Sequence, residues 1–250
     1  MPLFHWIQFL PRKTIVTLAA AVSVMPLAHA QSCQRSAGAK PPAVVELFTS
    51  QGCSSCPPAD QWLSTLKADK EVIALSFHVN YWNHLGWKDP YATTETTERQ
   101  RKIQQALQGK YVYTPQVVLN GQDHRSWQGQ SPAGLLRMTA EQAPTLSLVR
   151  NGTQVAAQVG AQPDRAQLAG YWAVLNDGLS QQVTRGENAG VRLVNDHVVT
   201  LYQPVTAWNA KTAHTAQLTL PPHITNQRVV FVVTDANHTR PLQGLTLQCS

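Results

Sequence analysis

Two cysteines separated by two residues, Cys53-Ser54-Ser55-Cys56, are the residues of this chain best suited to chemistry. Sulfurs at that spacing can close a small-ring disulfide that opens and re-forms by exchange through a mixed disulfide. In such a scheme Cys53 is the nucleophile and Cys56 resolves, which requires Cys53 to be the more exposed sulfur. Two other readings stand beside this one. The pair can be a structural disulfide, or half of a metal site. Zinc would want a second ligand pair, and the chain has no second Cys-x-x-Cys. With His78 the two cysteines could supply a Cys2His set for copper(I), a soft ion that favours thiolates. A lone histidine at the end of a buried strand is otherwise a structural residue. His84 and His124 are looser candidates.

The flanking residues say how the thiols are held. Val44-Val45-Glu46-Leu47-Phe48 is an apolar, Val-rich run that predicts a buried strand. Ser50-Gln51-Gly52 is a turn signal, and Trp62, Leu63 and Leu66 form an apolar stripe at helical spacing. Pro57 and Pro58 fit only the first turn of that helix, where their missing N–H groups are not needed. The thiols therefore sit where a strand ends and a helix begins. A helix N-terminus favours negative charge and lowers a thiol pKa. Two prolines at that terminus delay the helix start and weaken the effect, so the acidity of Cys53 stays open.

Further along, Val72–Val79 is apolar on both faces, as a central parallel strand would be. Residues 80–90 form a loop rich in aromatic side chains, Tyr81, Trp82 and Trp87, at the strand's C-terminal end, where open α/β sheets place ligands. Thr93–Leu107 predicts a helix, with Ile103 and Leu107 at i, i+4 and Gly109 as a stop. Thr114-Pro115 precedes a short Val-rich strand, Asn120-Gly121 is a hairpin turn, and a return strand is expected around His124–Trp127. A last helix opens at Ser131-Pro132 and runs to about Ala143.

The order β-α-β-α-β-β-α is that of the thioredoxin fold, and a Cys-x-x-Cys at its first strand–helix junction is a thioredoxin-like cue. The chain also resembles an uncharacterised family of secreted bacterial proteins with a thioredoxin-like domain (domain of unknown function family 1223). The resemblance rests on the run Phe48–Asp60, on His78–Asn83 with Leu85-Gly86-Trp87, on Thr97-Glu98-Arg99-Gln100 and on Gly186-Glu187-Asn188-Ala189-Gly190. The thioredoxin resemblance implies that Thr114-Pro115 is a cis-proline element facing the cysteines and aligning the substrate. It also implies that Glu46, seven positions before Cys53, is a buried acid that moves a proton for the resolving thiol. The other reading of Glu46 is an outward-facing edge residue. The residues chosen for catalysis are thus Cys53, Cys56, Pro115, Thr114 and Glu46, and no cofactor is expected.

Residues 1–30 read as a secretory signal peptide: Arg12-Lys13, an apolar run from Ile15 to Leu27, and a small-x-small cleavage site ending at Ala30. That run is shorter than the ~20 residues of a spanning helix. The expectation is a bacterial periplasmic or secreted protein with no membrane span after cleavage. Removing Arg12 and Lys13 takes the formal net charge of +6 down by two, and no basic cluster is present, so a nucleic-acid partner is excluded. The partner class is a protein or small-molecule thiol or disulfide; the alternative is a non-enzymatic interaction module, with the C-terminal module and the aromatic loop binding a partner.

Export exposes all four cysteines to an oxidising compartment. With Cys53 and Cys56 assigned, Cys33 and Cys249 remain for a structural disulfide between the termini, although four cysteines allow three connectivities. Residues 31–42 read as a linker and 43–143 as the thioredoxin-like domain. Residues 144–250, with short alternating runs separated by turn signals such as Asn151-Gly152 and Pro221-Pro222, read as a smaller β-rich C-terminal module.

Overall fold

A computed structural model of the 250-residue chain describes residues 1–3, 32–136, 143–222 and 227–249. Nearly all of the expected signal peptide, including Ala30, lies outside the described residues, as does the stretch 137–142 of the last expected helix. No described helix is long and apolar enough to cross a membrane.

The first described strand, β1 (Ser32–Ser36), falls inside the segment that composition marks as a linker. β2 (Ala43–Thr49) follows and is buried along its whole length. Helix α1 (Pro57–Ser64) has both prolines in its first turn and continues as one 3-10 turn, Thr65–Ala68. β3 (Val72–His78) is likewise wholly buried, and the aromatic loop after it winds into a second 3-10 turn, Asn80–Leu85. Helix α2 (Thr94–Ala106) starts at a reciprocal cap between Thr93 and Thr96. β4 (Gln116–Leu119) and β5 (Gln122–Asp123) form the Asn120-Gly121 hairpin, and α3 (Pro132–Leu136) follows. The return strand is thus shorter and earlier than His124–Trp127. The pairing with β4 ends at His124, which is buried and whose N–H still donates to the Val117 carbonyl at 2.8 Å.

Nine further strands follow among the described residues. They are β6 (Leu146–Asn151), β7 (Gln154–Val159), β8 (Gln167–Asn176), β9 (Leu179–Gln182), β10 (Arg192–Asn195), β11 (Val198–Asn209), β12 (His214–Thr219), β13 (Arg228–Asp235) and β14 (Pro241–Leu247). Together the elements make a mixed α/β architecture dominated by sheet.

The largest sheet has eight strands in the order β14-β13-β8-β11-β3-β2-β4-β5. β2 and β3 run parallel, and β4 lies antiparallel on the other side of β2. The sheet does not stop at residue 143. β11 joins β3 in parallel at Val198 and Ser76, where the Ser76 N–H donates to the His197 carbonyl at 2.8 Å. β2, β3 and the middle of β8 are covered on both faces and are buried without a break, and apart from Glu46 and Ser76 their interiors are apolar.

Three clusters do the covering. On one face, Val45, Leu47, Ala74 and Leu119 pack against Ala59, Trp62 and Leu63 of α1 and Leu135 of α3. On the other, Val44, Phe48, Leu75, Phe77, Tyr171 and Val232 pack with Ile103 of α2. A four-stranded sheet, β1-β6-β7-β12, closes over β8, β13 and β14 through Leu148, Leu218, Trp172 and Phe231. β1 pairs with β6 from Ser32–Asn151 to Ser36–Ser147. That pairing brings Cys33 beside Cys249, and the two form a disulfide across a sequence separation of 216.

Candidate functional site

The site forms where β2 and β3 end side by side, with Thr49 and His78 as cross-strand partners. β2 delivers the chain into the turn Ser50–Gly52, and Cys56 caps α1. Cys53 and Cys56 are joined in a disulfide with Cα atoms 5.5 Å apart. The Cys56 N–H donates to the Cys53 carbonyl at 3.2 Å, so the pair closes one tight turn. Among the described residues no cysteine is free.

Both cysteines are 0 % exposed. Cys53 was expected to be the accessible sulfur, and in the oxidised protein it is not. Three groups pack on the turn that carries it. The Asn188 side-chain amide donates to the Gln51 and Cys53 carbonyls, at 2.9 Å each. One oxygen of Glu187 accepts both the Ser54 N–H, at 2.9 Å, and its hydroxyl, at 2.8 Å. Trp82 lies against Gly52, and a Cβ placed on that glycine would sit 3.1 Å from the Trp82 Cβ. Glu187 and Asn188 stand at the tip of the β9–β10 hairpin, whose turn uses Gly186 and Gly190 at φ +76° and +85°. Only Ser54 and Ser55, between the sulfurs, face solvent, and the Ser55 Oγ lies 3.4 Å from the Cys53 Sγ.

On the open side runs a cavity of about 420 Å³, lined by Ser55, Pro58, Tyr113, Pro115, Arg125 and Trp127 among others. The Thr114-Pro115 peptide is cis. Its loop is tied down from two sides. The Trp82 indole N–H donates to the Thr114 hydroxyl at 2.8 Å, and the Gln100 amide donates to the Tyr113 carbonyl at 2.7 Å. The aromatic loop and α2 therefore hold the proline segment that shares a groove with Ser55.

Strand alternation decides which acids reach the cysteine turn. Val45 and Leu47 face α1, so Thr49 does too; Val44 and Phe48 face α2, so Glu46 faces away from α1. Glu46 accepts from Arg99 Nε at 2.7 Å, from a second Arg99 nitrogen, and from the Tyr171 hydroxyl at 2.9 Å. It is a core ion-pair residue on the opposite side of the sheet, and it does not join the cysteines.

The acid on the cysteine side is Asp60, on the first turns of α1, whose N–H donates to the Cys56 carbonyl at 3.2 Å. Its carboxylate accepts the Thr49 hydroxyl at 3.0 Å. Burial lifts its pKa to about 7, against the opposing pull of His78 and of the Thr49 hydrogen bond. His78, fully buried on the same face, shares a 2.7 Å hydrogen bond between Nδ1 and Asp89. Burial by itself would lower the His78 pKa, but Asp89 beside it and Asp60 beyond leave it raised. Asp89 ends lowered, because His78 and the N–H groups of Gln51 and Tyr91 outweigh its burial. The Asp89 carboxylate also receives the Gln51 N–H at 2.8 Å, two residues before Cys53.

In the oxidised protein both sulfurs are in a disulfide and the His78 Nδ1 is bonded to Asp89. No group of three metal-ligating side chains is arranged for an ion among the described residues.

A family model for proteins of unknown function, DUF1223, matches residues 44–234, most of the chain and every residue of this site. The chain belongs to the DUF1223 family. A crystal structure of a protein from Agrobacterium tumefaciens, a structural-genomics target, is similar at 29 % identity with a TM-score of 0.64, over 85 % of this chain and 96 % of that one. No curated protein matches.

In this DUF1223 member, sequence reasoning assigned no role to four residues that contact or surround the cysteine turn: Asp60, Asp89, Glu187 and Asn188. Asp60 carried a usable signal, since an acid four residues after the helix-capping cysteine must lie one turn below it. Glu187 and Asn188 lie in a run shared with the family, but neither they nor Asp89 signalled their partners, because the contacts cross 133, 135 and 38 positions of sequence.

Proposed function

We propose that this protein is an exported thiol–disulfide oxidoreductase with a thioredoxin-like arrangement of β2, α1, β3, α2, β4, β5 and α3. One observation carries the reading: the Cys53–Cys56 disulfide caps α1 beside a groove that Ser55 and Pro115 line together. The two disulfides, Cys53–Cys56 and Cys33–Cys249, support an oxidising compartment outside the cytoplasm.

In the exchange, the Cys53 thiolate attacks one sulfur of a substrate disulfide and the other leaves as a thiolate. The Cys56 thiolate then attacks the Cys53 side of the mixed disulfide, releasing the second substrate sulfur. Two electrons pass to the substrate, and two protons pass from the cysteine thiols to its sulfurs. The substrate chain lies along the Thr114-Pro115 side of the groove. Asp60, near neutrality in its titration, is the group placed to hold a proton below Cys56. Because both sulfurs are sealed in the oxidised state, exchange requires the Glu187–Asn188 hairpin tip to lift.

The sealed sulfurs also favour a second reading, in which the Cys53–Cys56 bond is a structural staple. Equilibration with reduced and oxidised glutathione, followed by alkylation and mass measurement, separates the two. Reversible opening of this bond in the folded protein, together with insulin reduction that Cys53→Ser abolishes, is the expected result. A Cys53 that stays unalkylated after mild reductant, in protein that keeps its fold, overturns the oxidoreductase reading in favour of the staple.

A further inference from the structure

A reduced Cys53 needs hydrogen-bond donors for its thiolate, and at a helix N-terminus these are the free N–H groups of the residues that follow. Here most are spent or missing. The Ser54 N–H is held by Glu187. Pro57 and Pro58 occupy the first two helical positions and bring no N–H at all. The Cys56 N–H donates to the Cys53 carbonyl, and the Ala59 and Asp60 N–H groups both go to the Cys56 carbonyl. The Glu187 carboxylate adds a negative charge one residue from Cys53, kept ionised because the Ser54 backbone and hydroxyl bonds hold it below the usual carboxylate range. What is left is Ser55 alone: its backbone N–H, and its hydroxyl 3.4 Å from the Cys53 sulfur.

We propose that Glu187, by holding the Ser54 N–H and placing its charge beside Cys53, poises the Cys53–Cys56 pair as an electron donor, so that the protein reduces disulfides rather than forming them. A thiolate that is poorly stabilised raises the energy of the reduced pair relative to the disulfide, and the pair gives up its electrons more readily. The balance is simple. The dithiol of Cys53 and Cys56 yields two electrons and two protons to a substrate disulfide, leaving its own disulfide and a substrate dithiol. A second dithiol, on a donor protein or small molecule, reverses the change at Cys53–Cys56 for the next round. This assignment of direction rests on the oxidoreductase reading above.

The experiment is a glutathione redox titration of Cys53–Cys56 in wild-type, Glu187→Gln and Glu187→Ala, each checked for fold by circular dichroism. The Cys53 thiolate is followed in parallel by its ultraviolet absorbance against pH. Glu187→Gln keeps an acceptor for the Ser54 N–H and removes only the charge. Its equilibrium is expected to move toward the reduced pair by roughly threefold, the scale of one exposed charge. Glu187→Ala frees the donor as well and is expected to move it by roughly tenfold, with a lower Cys53 pKa, as a charge-assisted hydrogen bond would. A Glu98→Gln control, on the exposed face of α2, is expected to match wild-type. Wild-type that opens reversibly while both Glu187 variants keep its equilibrium and its Cys53 pKa overturns this proposal and leaves the oxidoreductase reading standing. A wild-type bond that does not open in folded protein defeats both.

Discussion

Arg99 of α2 closes on Glu46 of β2 in the buried interior, its guanidinium lying 4.1 Å from the centre of the Tyr171 ring. Tyr171 donates its hydroxyl to the same carboxylate oxygen, and Arg99 also reaches the Tyr202 hydroxyl and the His238 carbonyl at 3.3 Å. One ion pair therefore ties α2 and β2 to β8, β11 and the turn before β14. Its two members are 0 % and 1 % exposed, so removing either leaves the other charge buried without a counterion.

Glu46→Ala or Arg99→Ala is expected to destabilise the fold by about 3–5 kcal/mol. The exchange equilibrium of Cys53–Cys56 in the remaining folded protein should be unchanged, since Glu46 lies across the sheet from α1. Urea unfolding curves and the glutathione titration measure the two quantities separately. A Glu46 variant of ordinary stability with a displaced redox equilibrium would return Glu46 to the cysteine site.

Asp60 makes the protein's stability depend on pH in a definite direction. Its pKa rises from 3.8 to about 7 on folding, so between those values the folded chain holds a proton that the unfolded chain has lost. Its contribution falls as pH rises from about 4 to 7, and the full cost of the buried charge stands above pH 7. His78, also raised, acts in the same sense: its stabilisation is complete below its unfolded pKa of 6.5 and is lost as pH rises through its folded value. Asp89, lowered, opposes them only in the acid limb, where its contribution is lost as pH falls. Asp60→Asn should therefore flatten the decline between pH 4.5 and 7.5 and be more stable than wild-type at pH 8. It should also slow mixed-disulfide resolution at neutral pH several-fold. Urea midpoints across that range and stopped-flow alkylation test both, and an unchanged slope would place Asp60 outside the titrating cluster.

What the sequence makes legible here is local, and what it hides is long-range. The strand ending at Thr49, the turn, the prolines of α1 and the Asn120-Gly121 hairpin follow from residue types a few positions apart. Each is a statement about φ, missing N–H groups or period. The facing of Glu46 does not follow, because two-fold alternation fixes faces only relative to a neighbour. The apolar stripe of α2 gives no hint that its buried face is largely polar, with Thr96, Thr97, Arg99 and Gln100. The join of β11 to β3, which carries the sheet past residue 143, depends on a pairing 122 positions apart and leaves no local trace. The hairpin tip that seals the cysteines is equally distant in sequence. Its Gly186-Glu187-Asn188-Ala189-Gly190 run marks a tight turn and does not say what the turn covers.

The Cys33–Cys249 disulfide closes nearly the whole chain into one loop and fastens β1, an outer strand of the four-stranded sheet. In the chain-entropy account, a loop of that size stabilises by roughly 5 kcal/mol. Cys33→Ser with Cys249→Ser is expected to lower the unfolding midpoint accordingly and to increase hydrogen exchange at β1 and β6 first. The Cys53–Cys56 equilibrium, set at the far junction of β2 and α1, should stay within error of wild-type. A redox equilibrium that moved with the terminal bond would mean that the two disulfides are coupled.

Asn188 gives the most direct view of how the sealed pair opens. Its amide donates to the Gln51 and Cys53 carbonyls, the second of which also accepts the Cys56 N–H, and it is itself buried. Each such bond contributes about 0.5–1.5 kcal/mol net, so removing both should raise the population of the open state by roughly tenfold. Asn188→Ala is therefore expected to speed reduction of Cys53–Cys56 by dithiothreitol by that factor, with the glutathione equilibrium changed far less. Opening exposes the oxidised and reduced sulfurs alike, whereas the Glu187 charge discriminates between them. Rate and equilibrium thus separate the two neighbours on one turn. If Asn188→Ala leaves the reduction rate unchanged while the fold holds, attack on the disulfide does not pass through lifting of this hairpin, and the groove beside Ser55 and Pro115 is the way in.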